Sequence, residues 1–214
     1  MLEGFQLRVS RIVLETIEPY GFALGGGCAL QMHGIINRST KDIDSYAAVM
    51  DDKLFNDAET ALINTFEEKG FQIATRFSDS WFKALEVCDP STGEAIVIDI
   101  GYDYRENDPV IIAEIGPVLD VHDVITGKVR AFWDRQAVRD FVDIDAILQT
   151  EKWTPAELLA ILRKIRPEVT PKAFADILSS TERVDDEAFE RYLLNQNDIN
   201  RLKERLYIAA SSVE

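Results

Sequence analysis

The sequence predicts an α+β protein, with a mixed β-sheet flanked by helices over residues 1–118 and a helical domain over 119–214 that closes the cleft. Three observations predict it. Short apolar runs bounded by turn residues are confined to the first 118 positions, and helical spacing of apolar residues dominates everything after Val118. Residues 22–46, FALGGGCALQMHGIINRSTKDIDSY, pass from strand to glycine turn to helix to strand. With 214 residues, 46% of them hydrophobic, the chain has ample material for a packed core.

Residues 5–18 place Phe5, Leu7, Val9, Ile12, Val13 and Ile17 around Arg8, Arg11 and Glu15, which fits a helical face. Pro19-Tyr20-Gly21 ends that helix. Phe22, Ala23 and Leu24 form a strand that enters Gly25, Gly26 and Gly27, and a helix-competent segment runs from Cys28 to about Ile36. After the polar turn Asn37 to Lys41, a second strand extends through Ser45 to Met50. Asp42 and Asp44 alternate with Ile43 in it, so both carboxylates point to one face.

Asp51 opens a helix in which Leu54, Phe55, Ala58, Leu62 and Phe66 recur at three and four, and Lys69-Gly70 closes it. Strands at 71–77, 81–87 and 94–102, separated by SDS and CDPSTG, predict an antiparallel meander, and Val110 to Ile115 adds a strand before Gly116-Pro117. From Ala95 the third of these strands, AIVIDIGY, is apolar except for Asp99, and a lone acid inside a buried strand is costly unless it is paired, bonded or metal-bound. Helices follow at 120–131, 132–149, 154–165, 171–179, 185–194 and 196–211, with Thr154-Pro155 as a start signal.

No run of about 18 apolar residues exists, and the N-terminal segment is charged throughout, so neither a membrane span nor a secretory signal is supported and the chain reads as cytoplasmic. Cys28 and Cys88 lie in apolar patterns, which fits a reducing compartment and argues against a disulfide framework or structural zinc. The net charge is −15. It is concentrated in residues 1–150, with 13 Lys+Arg against 26 Asp+Glu, whereas 151–214 carry 10 against 12. That balance opposes broad contact with a phosphate backbone, is offset in part by bound metal, and suits a basic protein partner.

Asp42, Asp44 and Asp99 would supply three oxygen ligands from neighbouring strands, the donor type that Mg2+ (or Mn2+) prefers beside substrate phosphates. With a nucleoside triphosphate (NTP) bound, such a site can hold two metals. Gly26 and Gly27 would let backbone amides approach the phosphates with no side chain in the way, and Asp99 would orient or deprotonate the incoming hydroxyl.

The glycine turn followed by Asp42-Ile43-Asp44 resembles the signature of DNA polymerase beta-type nucleotidyltransferases, with Asp99 as the third carboxylate. More narrowly, Gly26-Gly27-Cys28-Ala29-Leu30, His33-Gly34, Arg38, Asp42-Ile43-Asp44 and Lys128…Arg135…Arg139-Asp140…Asp143 resemble the AbiEii/AbiGii (MenT-like) toxin nucleotidyltransferases. The resemblance covers roughly residues 20–150. It implies a nucleotidyltransferase-type sheet and the toxin of a toxin-antitoxin or phage-defence pair. Such a toxin transfers nucleotides from NTP with magnesium, in some relatives onto tRNA, and has a cognate antitoxin. By the family pattern Lys128 and Asp140 complete the catalytic set, and Gly26, Gly27, Cys28, Arg38 and Lys128 bind the nucleotide. Cys28 departs from the usual Ser or Thr, losing a hydroxyl but keeping its amide.

Bland roles stand beside these. Lys128 also reads as a cation near a helix end, and Arg139 with Asp143 as an intrahelical ion pair. His33 reads as a locally bonded helix residue, Cys28 as packing, and Trp81, Trp133 and Trp153 as core. Two rival functions fit the same residues: adenylylation of a small cationic molecule of the aminoglycoside type, and an idle fold that works by protein binding.

Overall fold

The computed structural model describes residues 2–192 and 194–213, and the chain divides into two compact units between Val124 and Ile125. In the first unit come α1 (Gly4–Ile17), β1 (Ala23–Leu24), α2 (Gly26–Met32), β2 (Asp42–Ala47), α3 (Asp52–Glu68), β3 (Gln72–Ser78), β4 (Phe82–Cys88), β5 (Ala95–Tyr102), β6 (Val110–Ile112) and β7 (Gly116–Val118). They form one seven-stranded mixed sheet in the order β3-β4-β5-β2-β1-β7-β6. The meander β3-β4-β5 is antiparallel as expected, β5 and β2 are parallel, and β2 and β1 are antiparallel.

Alternation sorts the sheet into two faces. Ile43, Ser45 and Ala47 of β2, Lys83, Leu85 and Val87 of β4, and Ile98 and Ile100 of β5 are buried. α3 packs behind β3 and β4, where Phe55 meets Phe22 edge-on at 5.2 Å and Phe66 meets Phe71 at 5.6 Å. Each fully buried side chain of this size contributes about 1.5–3 kcal/mol. The buried Lys83 ammonium is satisfied by Asn56 at 2.9 Å, Ser78 at 2.8 Å and Glu59 at 3.4 Å.

Several boundaries differ from the sequence reading. β2 stops at Ala47 rather than Met50, because the Asp51 carboxylate accepts the Leu54 amide at 2.9 Å and caps α3 while Val49 and Met50 stand more than half exposed. α2 begins at Gly26, inside the glycine run, instead of at Cys28. Gly116-Pro117, read as a stop, belongs to a short strand, β7, which pairs in parallel with β1 and antiparallel with β6. Proline lacks an amide hydrogen and so reads as a terminator, yet β1 pairs with β7 at Val118 alone, and Pro117 is registered only with Ile111 of β6.

The second unit is helical. α4 (Val121–Arg135) leads into it, followed by α5 (Val138–Gln149), α6 (Pro155–Ile165), α7 (Pro171–Ser179), α8 (Asp186–Glu190) and α9 (Gln196–Ala210). The expected break at 131/132 falls instead at Gln136, whose φ of 49° is left-handed although it is not glycine. The helix expected over 185–194 is the shorter α8, and Leu193 lies outside the described residues. Phe132 anchors the core, edge-on to Phe141 at 5.2 Å and to Phe174 at 6.1 Å. Arg205 of α9 clasps the buried Asp145 of α5 with two bonds of 2.7 and 2.6 Å, while burial pushes that carboxyl above its usual range. No helix among the described residues is long and apolar enough to cross a membrane.

α6 starts with a reciprocal cap. The Glu157 carboxylate accepts the Thr154 amide at 2.7 Å, and these bonds hold it below the usual carboxylate range. A depressed folded value means stability that is present above the unfolded value and is lost as pH falls through the folded one. Glu157→Gln is therefore expected to flatten the loss of stability on acidification below about pH 4.5, read from urea melts across that range. Equal slopes in the two proteins would count against the assignment.

Candidate active site

β2 and β5 bring the three acids together. Their parallel register sets Asp44 directly beside Asp99, with Asp42 beside Val97. All three side chains are half-buried, and one carboxylate oxygen from each lies within 4.8 Å of the others. Two unit charges at that distance repel by about 1 kcal/mol in water and by more beside a protein surface. The donors are all carboxylate oxygens, the hard ligands that a small divalent cation takes, so the residues present fit Mg2+ or Mn2+.

The glycine turn is built against this cluster. Gly26 has φ +58°, and a Cβ there would lie 1.7 Å from Asp44 Oδ2, so only glycine fits. The Gly25 amide donates to the Asp44 carbonyl at 2.8 Å, fixing the turn to β2. Arg38 reaches the same turn, its Nη2 3.5 Å from where a Gly27 Cβ would stand. Cys28 is buried, and its thiol is engaged by Thr40 at 3.2 Å and the Asp42 carbonyl at 3.3 Å. The thiol therefore braces the 40–42 loop, so any phosphate contact by residues 26–28 would fall to the backbone amides at the start of α2.

Several supporting residues carried no local signal in the sequence. Gln6 of α1 donates to the Thr40 hydroxyl at 2.6 Å, tying the loop to a distant helix. His33 Nε2 donates to the Leu119 carbonyl at 2.8 Å, a partner 86 positions away rather than a local one. Tyr46 was findable, since it lies two residues beyond Asp44 on the same strand face; its hydroxyl donates to Asp44 Oδ1 at 3.4 Å. Of the three tryptophans expected in the core, none is fully buried, and Trp81 is 39% exposed.

The residues expected to complete the set lie in the helical unit. Lys128 is buried on α4, and its ammonium is bonded to the fully buried Asp143 at 2.9 Å. Asp140, also buried, is gripped by Arg135 at 2.8 and 2.6 Å and accepts the Ala137 amide at 3.0 Å, which caps α5. The structure thus joins Lys128 to Asp143 and gives Asp140 to Arg135.

Solved structures share this fold. A candidate nucleotidyltransferase from H. pylori superposes with a TM-score of 0.60 at 17% identity, covering 96% of this chain and 92% of that one. JHP933 from Helicobacter pylori gives 0.61 at 17% identity, covering 99% and 93%. No curated protein matches the chain in sequence. Sheet, glycine turn and acid cluster are the parts of a nucleotidyltransferase. Residues 13–212 match the family of nucleotidyl transferase AbiEii toxins of type IV toxin-antitoxin systems, and the chain belongs to that family.

Proposed function

We propose that the protein moves a nucleotide from an NTP to a hydroxyl of an RNA acceptor such as tRNA, using Mg2+ or Mn2+ held by Asp42, Asp44 and Asp99. The observation that carries this reading is the convergence of three carboxylate oxygens within 4.8 Å beside a glycine turn. Bound there, the metal would neutralise phosphate charge and acidify the attacking hydroxyl. The chain's own groups do the rest. The amides of Gly26, Gly27 and Cys28 bind the phosphates, and the Arg38 guanidinium, beside Gly27, adds positive charge. The Asp99 carboxylate takes the proton of the acceptor hydroxyl as that hydroxyl's oxygen bonds to the α-phosphorus, and the bond from the α-phosphorus to the α–β bridging oxygen breaks, releasing pyrophosphate.

The family pattern assigns a nucleotide contact to Lys128, and Asp143 is the carboxylate that orients it here. Asp140, its oxygens occupied by Arg135 and the Ala137 amide, acts at one remove by holding the start of α5. A cognate antitoxin is the expected protein partner, in the cytoplasm.

The test incubates purified protein with labelled NTPs, Mg2+ and total RNA. Label is expected in RNA and is expected to disappear with a metal chelator. Label on aminoglycosides and never on RNA would favour the small-molecule reading, which the acidic charge accommodates. Absence of both labels, with no NTP binding by calorimetry, would leave a binding module.

A further inference from the structure

The face of the sheet that carries the acids also carries an aromatic surface that the transfer reaction, as described, does not use. Strand register gives its layout. One row across the sheet reads Asp44 on β2, Asp99 on β5, Ala84 on β4 and Phe77 on β3; the next reads Tyr46, Gly101 and Phe82. Phe77 is 52% exposed and Phe82 36%, with ring centroids 6.0 Å apart. On its other face the same strand buries Lys83 at 3% exposure. A strand that buries its lysine and leaves its phenylalanine in water inverts the ordinary preference.

Gly101, having no side chain, lets the Tyr46 and Phe82 rings close over β5. A Cβ there would stand 3.2 Å from Phe82 and 3.5 Å from Tyr46. Gly101 lies two residues beyond Asp99 on β5, and Phe82 pairs with it one strand further, about 5 Å on.

Direction decides what occupies this surface. The glycine turn lies on the β1 side of the acids, so the phosphates and departing pyrophosphate belong there. In phosphoryl transfer the attacking and leaving oxygens are roughly in line, so the acceptor enters from the opposite side, over β5 and β4. An acidic surface gives little affinity through phosphates, whereas aromatic rings stack any unpaired base.

We propose that Phe82, backed by Phe77, is the acceptor platform: it stacks the terminal unpaired base of a single-stranded RNA 3′ end and so presents that nucleotide's ribose hydroxyl to Asp99. This rests on the nucleotidyl-transfer reading above.

The test uses a hairpin RNA with a four-nucleotide single-stranded 3′ end closing on adenosine, and the same hairpin with an abasic terminal ribose. The abasic acceptor keeps the hydroxyl and loses only the base. The wild-type protein is expected to show a KM about 10–100-fold lower for the adenosine end. Phe82→Ala should raise that KM by the same factor and erase the difference, with the dissociation constant of Mg2+·NTP unmoved, and Phe82→Trp should restore it. Preference for the base surviving in Phe82→Ala, or absent from the wild type, overturns the platform alone. Failure of the wild type to label either RNA, with NTP still bound, overturns the RNA-acceptor reading and the platform with it.

Discussion

Replacing Asp44 with asparagine is expected to lower nucleotide transfer by about 10³-fold or more, since a metal-bridged phosphoryl site supplies several kcal/mol and each 1.4 kcal/mol is tenfold. Asp44 stands at the centre of the cluster, in register with Asp99 and two residues from Asp42 on one strand face. Asparagine keeps the shape and removes the charge. A second readout is independent of turnover. Three acids within 4.8 Å repel one another, so the metal-free variant should melt at a higher temperature than the metal-free wild type. The rise in melting temperature that millimolar Mg2+ gives the wild type, which follows from binding to the folded state alone, should be lost. Full activity in this variant, or an unchanged response to Mg2+, would remove the acids from the site.

Gly26→Ala is the second large effect. The added methyl would stand 1.7 Å from Asp44 Oδ2, 2.5 Å from its Cγ and 2.8 Å from its Cβ, so the turn or the acid must move. Misplacing a reacting group by about 1 Å costs about 10²-fold, and weaker Mg2+ binding should accompany the loss. Backbone strain alone, about 1–2 kcal/mol for a non-glycine residue in the left-handed region, cannot produce that result. Gly70→Ala separates the two causes, because Gly70 has φ +82° with nothing within 4 Å of its Cβ position. It should lose stability and keep activity. Equal activity losses in the two variants would attribute the effect to strain.

Much of the acid half of the site is legible in the sequence because it is written in local alternation. Asp-Ile-Asp puts two carboxylates on one face whatever surrounds them, and Asp99 stands out as the one acid of an apolar strand. The meander and the helical second half follow from periodicity and turn residues in the same way. What escapes is set by partners far apart in the chain. Whether Lys128 would meet Asp140 or Asp143 depends on how α4 folds back on α5, which turns on the left-handed Gln136, and nothing in glutamine announces that conformation. The exposure of Phe82 is invisible for the same reason, since alternation in FKALEV fits either face until Lys83 is seen bonded to Asn56 and Ser78. β7 hides behind a proline.

The contact between Gly26 and Asp44 also joins two binding events into one. The acid that would ligate metal is the wall of the turn that would hold phosphate, so neither can shift without the other. Affinity for Mg2+ and affinity for NTP would then be coupled, and the factor by which NTP tightens the metal would equal the factor by which the metal tightens NTP. At low magnesium such a protein would hold NTP less tightly, and its activity would depend on the two concentrations together rather than on either one.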